Sequence, residues 1–133
     1  MLFRSLGQND TIGEFTLEFE VSAVEGDFYI TEFATTNATS NGVQFSITGG
    51  AATTSASLTS TADEDTPGVF TVREGETETF TLVVTIDPVS TGTFRVSLDE
   101  VWYSDLSTGL SGDAYLPTPV SDYRTASQAV QGS

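Results

Sequence analysis

The chain has 133 residues, which is enough for one domain with a buried core and too few for two ordinary domains. Its formal net charge of −15 would repel phosphate backbones and anionic lipid headgroups, so we expect no nucleic-acid partner. The sequence contains no cysteine, histidine or lysine, which excludes thiol nucleophiles, Ser-His-Asp triads, Schiff-base lysines and Cys/His zinc sites, and we expect no enzyme.

The sequence contains no candidate for a membrane-spanning helix. No stretch of the chain approaches the ~18–20 consecutive apolar residues that a bilayer-spanning helix needs, so we expect no direct membrane insertion. Residues 1–9 are predicted to be a linker or a loose edge segment. The domain itself is predicted over residues 10–124.

Two strands are predicted in the next part of the chain. Over residues 13–24 large apolar side chains alternate with acidic and hydroxyl side chains, which predicts a half-buried strand with an acidic outer face. A Glu-Gly-Asp turn follows at residues 25–27. Residues 27–35 are predicted to form the second strand, with Phe28 and Ile30 in the core and contributions from Tyr29 and Phe33.

Asn41-Gly42 is a pair that favours a type I′ hairpin turn, because both central residues of that turn need positive φ. The alternation of Val43, Phe45 and Ile47 then predicts a third strand. Residues 49–61 are rich in Ala, Ser and Thr and are compatible with a linker or a short edge strand. Their position between strong strands favours the edge strand.

Residues 62–68 are predicted to form an acidic turn, followed by a short strand at 69–72. Asp63, Glu64 and Asp65 are candidate ligands for Ca²⁺, a hard cation that takes six to eight oxygens. Their spacing does not match an EF-hand loop, and a solvated acidic turn is the alternative. A second acidic group, formed by Asp99, Glu100, Asp105 and Asp113, is a weaker candidate for the same ion.

The most strongly patterned stretch is residues 72–98. Apolar residues alternate with polar ones on both sides of a Pro- and Gly-containing connection, which predicts a β-hairpin with one buried face. The buried positions are Phe80, Leu82, Val84 and Ile86 on the first strand and Phe94, Val96 and Leu98 on the second. No other part of the sequence offers as much apolar surface to a core.

Trp102 is the candidate ligand or partner contact. Continued alternation after Leu98 would bury the carboxylate of Glu100, which is costly. A bulge near Asp99 would reverse the phase, turn Val101 inward and expose Trp102 for stacking on a sugar or contacting a protein. The alternative is a strand that ends at Asp99, with Trp102 partly covering the core.

The C-terminal part has weaker patterns. The segment Leu-Pro-Thr-Pro-Val at residues 116–120 cannot be a central strand and is predicted to be an edge or extended segment, anchored by Tyr123. Residues 125–133 are rich in Ala, Ser and Gln and are predicted to be a linker to a following module.

Strand patterns recur along the whole chain without a sustained helical period, which predicts an all-β fold. The stretches EGETETF at residues 74–80 and DPVSTGTF at 87–94 resemble the later strands of immunoglobulin-like modules in bacterial surface proteins. In that family an Asp…Gly-x-aromatic corner joins two strands; Phe94 stands here where many members have a hydrogen-bonding tyrosine. The resemblance implies an immunoglobulin-like antiparallel β-sandwich of seven or eight strands.

A more specific similarity extends over residues 61–105 and 115–124. These segments are similar to modules repeated in large secreted or cell-wall-associated proteins of candidate-phyla bacteria (Patescibacteria). The resemblance implies an extracellular or cell-surface structural or adhesive module that contacts neighbouring modules or copies of itself. A module that binds a cell-wall glycan or Ca²⁺ is the alternative, and the resemblance transfers no catalytic residue.

Overall fold

The alternating patterns produce a chain that is almost entirely β-strand. The computed structural model describes residues 2–11, 13–105, 113–116 and 120–132. Its strands, in chain order, are β1 (Leu2–Thr11), β2 (Glu14–Ser22), β3 (Phe28–Thr31), β4 (Ala34–Thr35), β5 (Gly42–Thr48), β6 (Ala52–Ser60), β7 (Asp63–Thr66), β8 (Val69–Val72), β9 (Thr77–Pro88), β10 (Gly92–Tyr103), β11 (Asp113–Tyr115) and β12 (Gln128–Val130).

Helical structure within those ranges is limited to one short 3-10 helix, Val120–Tyr123. No helix in the described part of the chain has the length and hydropathy needed to cross a membrane.

The strands form three sheets. Sheet I has the order β1-β2-β9-β6, and all of its pairs are antiparallel. Sheet II has the order β11-β10-β5-β4, with β12 also paired to β10; its β4–β5 pair is parallel. Sheet III has the order β3-β8-β7. It adjoins sheet II through reciprocal backbone hydrogen bonds between Tyr29 and Ser104, at 2.8 and 2.9 Å.

The predicted fold class, an all-β antiparallel sandwich, is confirmed. One sheet of the sandwich has the order β1-β2-β9-β6, and the other has the order β11-β10-β5. The described residues contain more strands than the seven or eight expected. The additional strands are short: β3, β7 and β8 make sheet III, and β4 and β12 extend sheet II.

The core lies between the sheets. Apolar side chains from β2, β6 and β9 of sheet I meet those of β5 and β10 of sheet II in one buried cluster. Phe80 is fully buried and stacks on Phe19 at a centroid distance of 5.5 Å, while Phe70 of sheet III packs edge-on against it, also at 5.5 Å. Each such buried side chain contributes about 1.5–3 kcal/mol.

The hairpin that alternation alone predicted for residues 72–98 is wrong, because β9 and β10 do not pair with each other; a corner over residues 87–94, the connection that the resemblance implied, joins them instead. β9 lies between β2 and β6 in sheet I, and β10 lies in sheet II, so the connection at residues 89–91 passes from one sheet to the other. Phe80 and Phe94 are both buried, as the alternation predicted. Gly49 permits the close packing at this corner, since a Cβ there would collide with the carbonyl oxygen of Thr93.

Two turn predictions are also wrong. Asn41-Gly42 does not close a hairpin, because the strand before it, β4, runs parallel to β5. Gly42 nevertheless has a φ of 70°, and a Cβ at this position would collide with the carbonyl oxygen of Phe33. The acidic turn predicted at 62–68 is instead strand β7, and the turn itself is Pro67-Gly68 between β7 and β8.

Both ends of the described chain belong to the sandwich. β1 is the edge segment that the sequence allowed for residues 1–9. The linker predicted for 125–133 is replaced, over its described part, by β12 and by Thr125, which is 1% exposed. Tyr123 is buried, as expected of an anchor. Of the extended segment predicted at 116–120, residues 117–119 lie outside the described residues.

Candidate functional site

β6 is an edge strand that carries no feature protecting it from further pairing. It forms one end of sheet I and pairs with β9 over its full length without a register shift. Its nine residues, ATTSASLTS, include no charged residue and no proline. Natural sheets usually protect their edges with charges, prolines or bulges. β6 is therefore one edge at which sheet I can accept another strand.

The hydrogen bonds between β6 and β9 identify which main-chain groups of β6 point towards its open side. Hydrogen bonds join Val89 N to Ala51 O and Thr61 N to Thr79 O, each at 3.0 Å, just beyond the two ends of β6. Because hydrogen-bonded pairs alternate along an antiparallel ladder, the odd-numbered residues of β6 bond to β9. The N–H and C=O groups of Thr54, Ala56 and Leu58 consequently point away from β9, towards the open edge.

A groove lies beside this edge, between β6 and β4 at the end of sheet II. Its volume is about 380 Å³, and its lining residues are Glu32, Phe33, Ala34, Ala56, Ser57 and Leu58. Leu58 is 3% exposed, whereas Phe33 is 44% exposed. A strand added to β6 would lie along this groove, with a partly apolar surface next to it.

Glu32 forms the acidic border of the groove with Glu64 of β7. Glu32 N donates to Gly68 O at 2.8 Å, and Gly68 N donates to the Oε2 atom of Glu64 at 3.2 Å, so the β7–β8 turn holds the two residues together. Partial desolvation, the negative charge of Glu64 and a hydrogen bond between the two carboxyls raise the pKa of Glu32. The β6 side of the molecule is thus acidic.

The predicted calcium ligands are only partly brought together. Arg73 donates from Nη1 to Asp63 Oδ2 at 2.8 Å and from Nη2 to Asp65 Oδ2 at 2.6 Å, so a guanidinium binds both carboxylates. These hydrogen bonds and charges raise the pKa of Arg73. Glu64 contacts Gly68 and Glu32 instead. No group of three metal-binding side chains occurs among the described residues.

Trp102 lies on a strand that continues past a bulge. The β10–β5 register shifts between Leu98 and Glu100, and β10 runs on to Tyr103, so the alternative in which the strand ends at Asp99 is wrong. Val101 is fully buried, as the bulge required. Trp102 is half-buried, and its indole Nε1–H donates to Glu100 Oε2 at 3.0 Å. Its role as a ligand or partner contact stays a prediction.

The second acidic group is centred on the same bulge. Asp99 accepts a hydrogen bond from Ser46 Oγ at 3.1 Å. Desolvation raises the pKa of Asp99, the Ser46 hydrogen bond lowers it and the charge of Glu100 raises it, with a net upward shift. Asp105 and Asp113 are exposed. Only Asp99 and Glu100 of this group lie at the bulge.

No protein-family model, no curated protein and no solved structure matches the chain.

The sequence indicated β6 as an edge strand but did not indicate the groove. Phe33 was expected to contribute to the core, and its exposure arises because sheet II ends with the two-residue strand β4. A useful signal was the lack of charge over residues 49–61 in a chain of net charge −15. Uncharged sequence in so acidic a chain identifies a segment where a partner could approach without repulsion.

Proposed function

We propose that this protein is a non-enzymatic structural or adhesive module that acts through contacts between modules or subunits at its sheet edges. The observation that carries the proposal is the open, uncharged and bulge-free edge of β6. Addition of a strand to such an edge supplies main-chain hydrogen bonds, and an adjoining groove supplies specificity. The mechanism is passive: a rigid sandwich presents one edge to the next unit.

The proposal includes the location of the protein. The resemblance of residues 61–105 and 115–124 to repeated bacterial surface modules supports an extracellular or cell-surface location, and the strand order of the two main sheets agrees with that resemblance. The alternative, a glycan- or Ca²⁺-binding module, has less support. Arg73 forms ion pairs with two of the three candidate calcium ligands, and the indole N–H of Trp102 is hydrogen-bonded within the chain.

Sedimentation velocity of the wild type, Ala56→Pro and Ala56→Ser tests the proposal. Proline removes an N–H that faces away from β9, at the kind of edge position where sheets tolerate proline, whereas serine keeps this N–H. The wild type and Ala56→Ser should associate as concentration rises to about 1 mM, where contacts worth only about 4 kcal/mol become populated. Ala56→Pro should stay monomeric with an unchanged circular dichroism spectrum.

Two results would contradict the proposal that copies of the protein associate through the β6 edge. One is a wild type that stays monomeric over the whole concentration range. The other is folded Ala56→Pro protein that associates as strongly as Ala56→Ser.

A further inference from the structure

The two edges of sheet I are compatible with each other in direction and length. Sheet I has four strands, and each pair is antiparallel, so β1 and β6 run in opposite directions. A second copy placed beside β6 in the same orientation therefore brings its own β1 antiparallel to β6. The two strands are ten and nine residues long; β1 shifts register between Ser5 and Gly7, so its regular stretch for pairing is residues 7–11. Such an addition continues sheet I while both copies keep the same orientation.

The open side of β1 also presents main-chain groups. Gly13 O accepts from Ile86 N at 2.7 Å, and Ala23 N donates to Glu76 O at 3.2 Å, so odd-numbered residues of β2 face β9 and even-numbered residues face β1. Gln8 is opposite Leu17, an odd-numbered residue. The N–H of Gln8 therefore points away from β2, towards the open edge.

The charges at the two edges make a β6–β1 contact less repulsive than a β6–β6 contact. Two of the four arginines lie on the β1 side: Arg4 is on β1, and Arg124 directly follows the 3-10 helix that contacts β1. Glu20, paired with Arg4 at 2.6 Å, and Asp122 lie there too. Asp10 of β1 adds a third carboxylate, so the β1 side carries cations together with anions, whereas Glu32 and Glu64 make the border of the groove acidic only.

A pair of β6 edges is less favourable for the same reason. The groove is lined by Ala56 and Ser57, which lie at the middle of β6, and by Glu32. A two-fold axis through the middle of β6 would bring the grooves of both copies, with their acidic borders, next to each other. Like charges so placed oppose association.

We propose that β6 of one copy pairs with β1 of a second copy, head to tail, so that sheet I continues from molecule to molecule. This inference rests on the proposed function, because it names the partner for the β6 edge. A heterologous contact of this kind leaves one free edge at each end and builds an open assembly. Strand twist of about 20–25° per strand would turn each four-stranded unit by roughly 80–100°, giving a twisted filament.

Mixing two edge variants tests the arrangement. Ala56→Pro blocks β6 and leaves β1 open, while Gln8→Pro blocks β1 and leaves β6 open. Each variant alone should remain monomeric, and an equimolar mixture should form a 1:1 dimer that does not grow, as measured by sedimentation velocity. The wild type should form longer species, which negative-stain electron microscopy would show as filaments.

The outcomes separate the two proposals. Dimers of Gln8→Pro alone would indicate β6–β6 pairing, and dimers of Ala56→Pro alone would indicate β1–β1 pairing; either overturns the head-to-tail arrangement while edge association stands. A monomeric wild type overturns both. If a proline variant fails to fold, the double variant Ser55→Glu, Ser57→Glu replaces Ala56→Pro. It keeps every main-chain donor and places charges on exposed positions of β6.

Discussion

Two buried threonines show how a single hydroxyl can either stabilise or destabilise this fold. Thr71 of β8 is 4% exposed, and within the described residues its Oγ1 has no hydrogen-bond partner. Thr125 is 1% exposed; its Oγ1 accepts from Val96 N at 3.1 Å and donates to Ala126 O at 3.0 Å. A buried hydroxyl without a partner retains its desolvation cost, whereas a bonded one compensates it.

Thr→Val substitution at the two positions should therefore have opposite effects. Thr71→Val should stabilise the protein by about 1 kcal/mol, and Thr125→Val should destabilise it by about 1–2 kcal/mol because Val96 N–H loses its acceptor. Urea unfolding measures both. Destabilisation of similar size in the two variants would show that Thr71 has a bonding partner in solution.

At the scale of elements, the described C-terminal segment is an integral part of sheet II. Thr125 N donates to Val96 O at 2.8 Å, and Arg95 Nε donates to Thr125 O at 2.9 Å. β12 then pairs with the start of β10, and Val130 is 3% exposed. This segment covers the β10 edge next to the corner that joins the two sheets.

Deletion of residues 125–133 should consequently destabilise the domain. The loss of Val130 burial alone is worth about 1.5–3 kcal/mol, and each lost hydrogen bond adds about 1 kcal/mol. Thermal unfolding should show a clearly lower midpoint for this variant. Deletion of residues 131–133 is the control; it removes the exposed hydrogen bond from Gly132 N to Thr91 Oγ1 but keeps β12, so its effect should be much smaller. Equal midpoints for both deletions would support the linker prediction instead.

Sequence patterns predicted the strands better than their partners. The alternation over β2, β9 and β10 identified the core phenylalanines, whereas the bulge near Asp99 was only one of two alternatives that the cost of burying Glu100 left open. Alternation specifies which face of a strand is buried but not which strand lies beside it, so β9 and β10 were predicted to pair. β12 was missed because Gln-Ala-Val is too short to show a pattern, and the groove was missed because it depends on where sheet II ends.

At the scale of the whole molecule, the net charge of −15 opposes both folding and association. Salt screens exposed charges over about 10 Å at 0.1 M. Added salt should therefore raise the unfolding temperature and strengthen association at the β6 edge. This effect depends on ionic strength and does not require a cation-specific site.

Calcium and sodium chloride compared at equal ionic strength separate screening from binding. Because Arg73 occupies Asp63 and Asp65, the two salts should raise the unfolding midpoint by the same amount. EDTA should leave the midpoint unchanged. A further rise that is specific to calcium and reversed by EDTA would support the predicted site at Asp63, Glu64 and Asp65.

Amide hydrogen exchange, followed by NMR as a function of protein concentration, tests edge pairing at β6 most directly. The N–H groups of Ser55 and Ser57 bond to β9 and should be protected at every concentration. The N–H groups of Thr54, Ala56 and Leu58 face the open edge and should become protected only as concentration rises. Exchange at these three amides that stays fast while the protein associates would contradict pairing at β6.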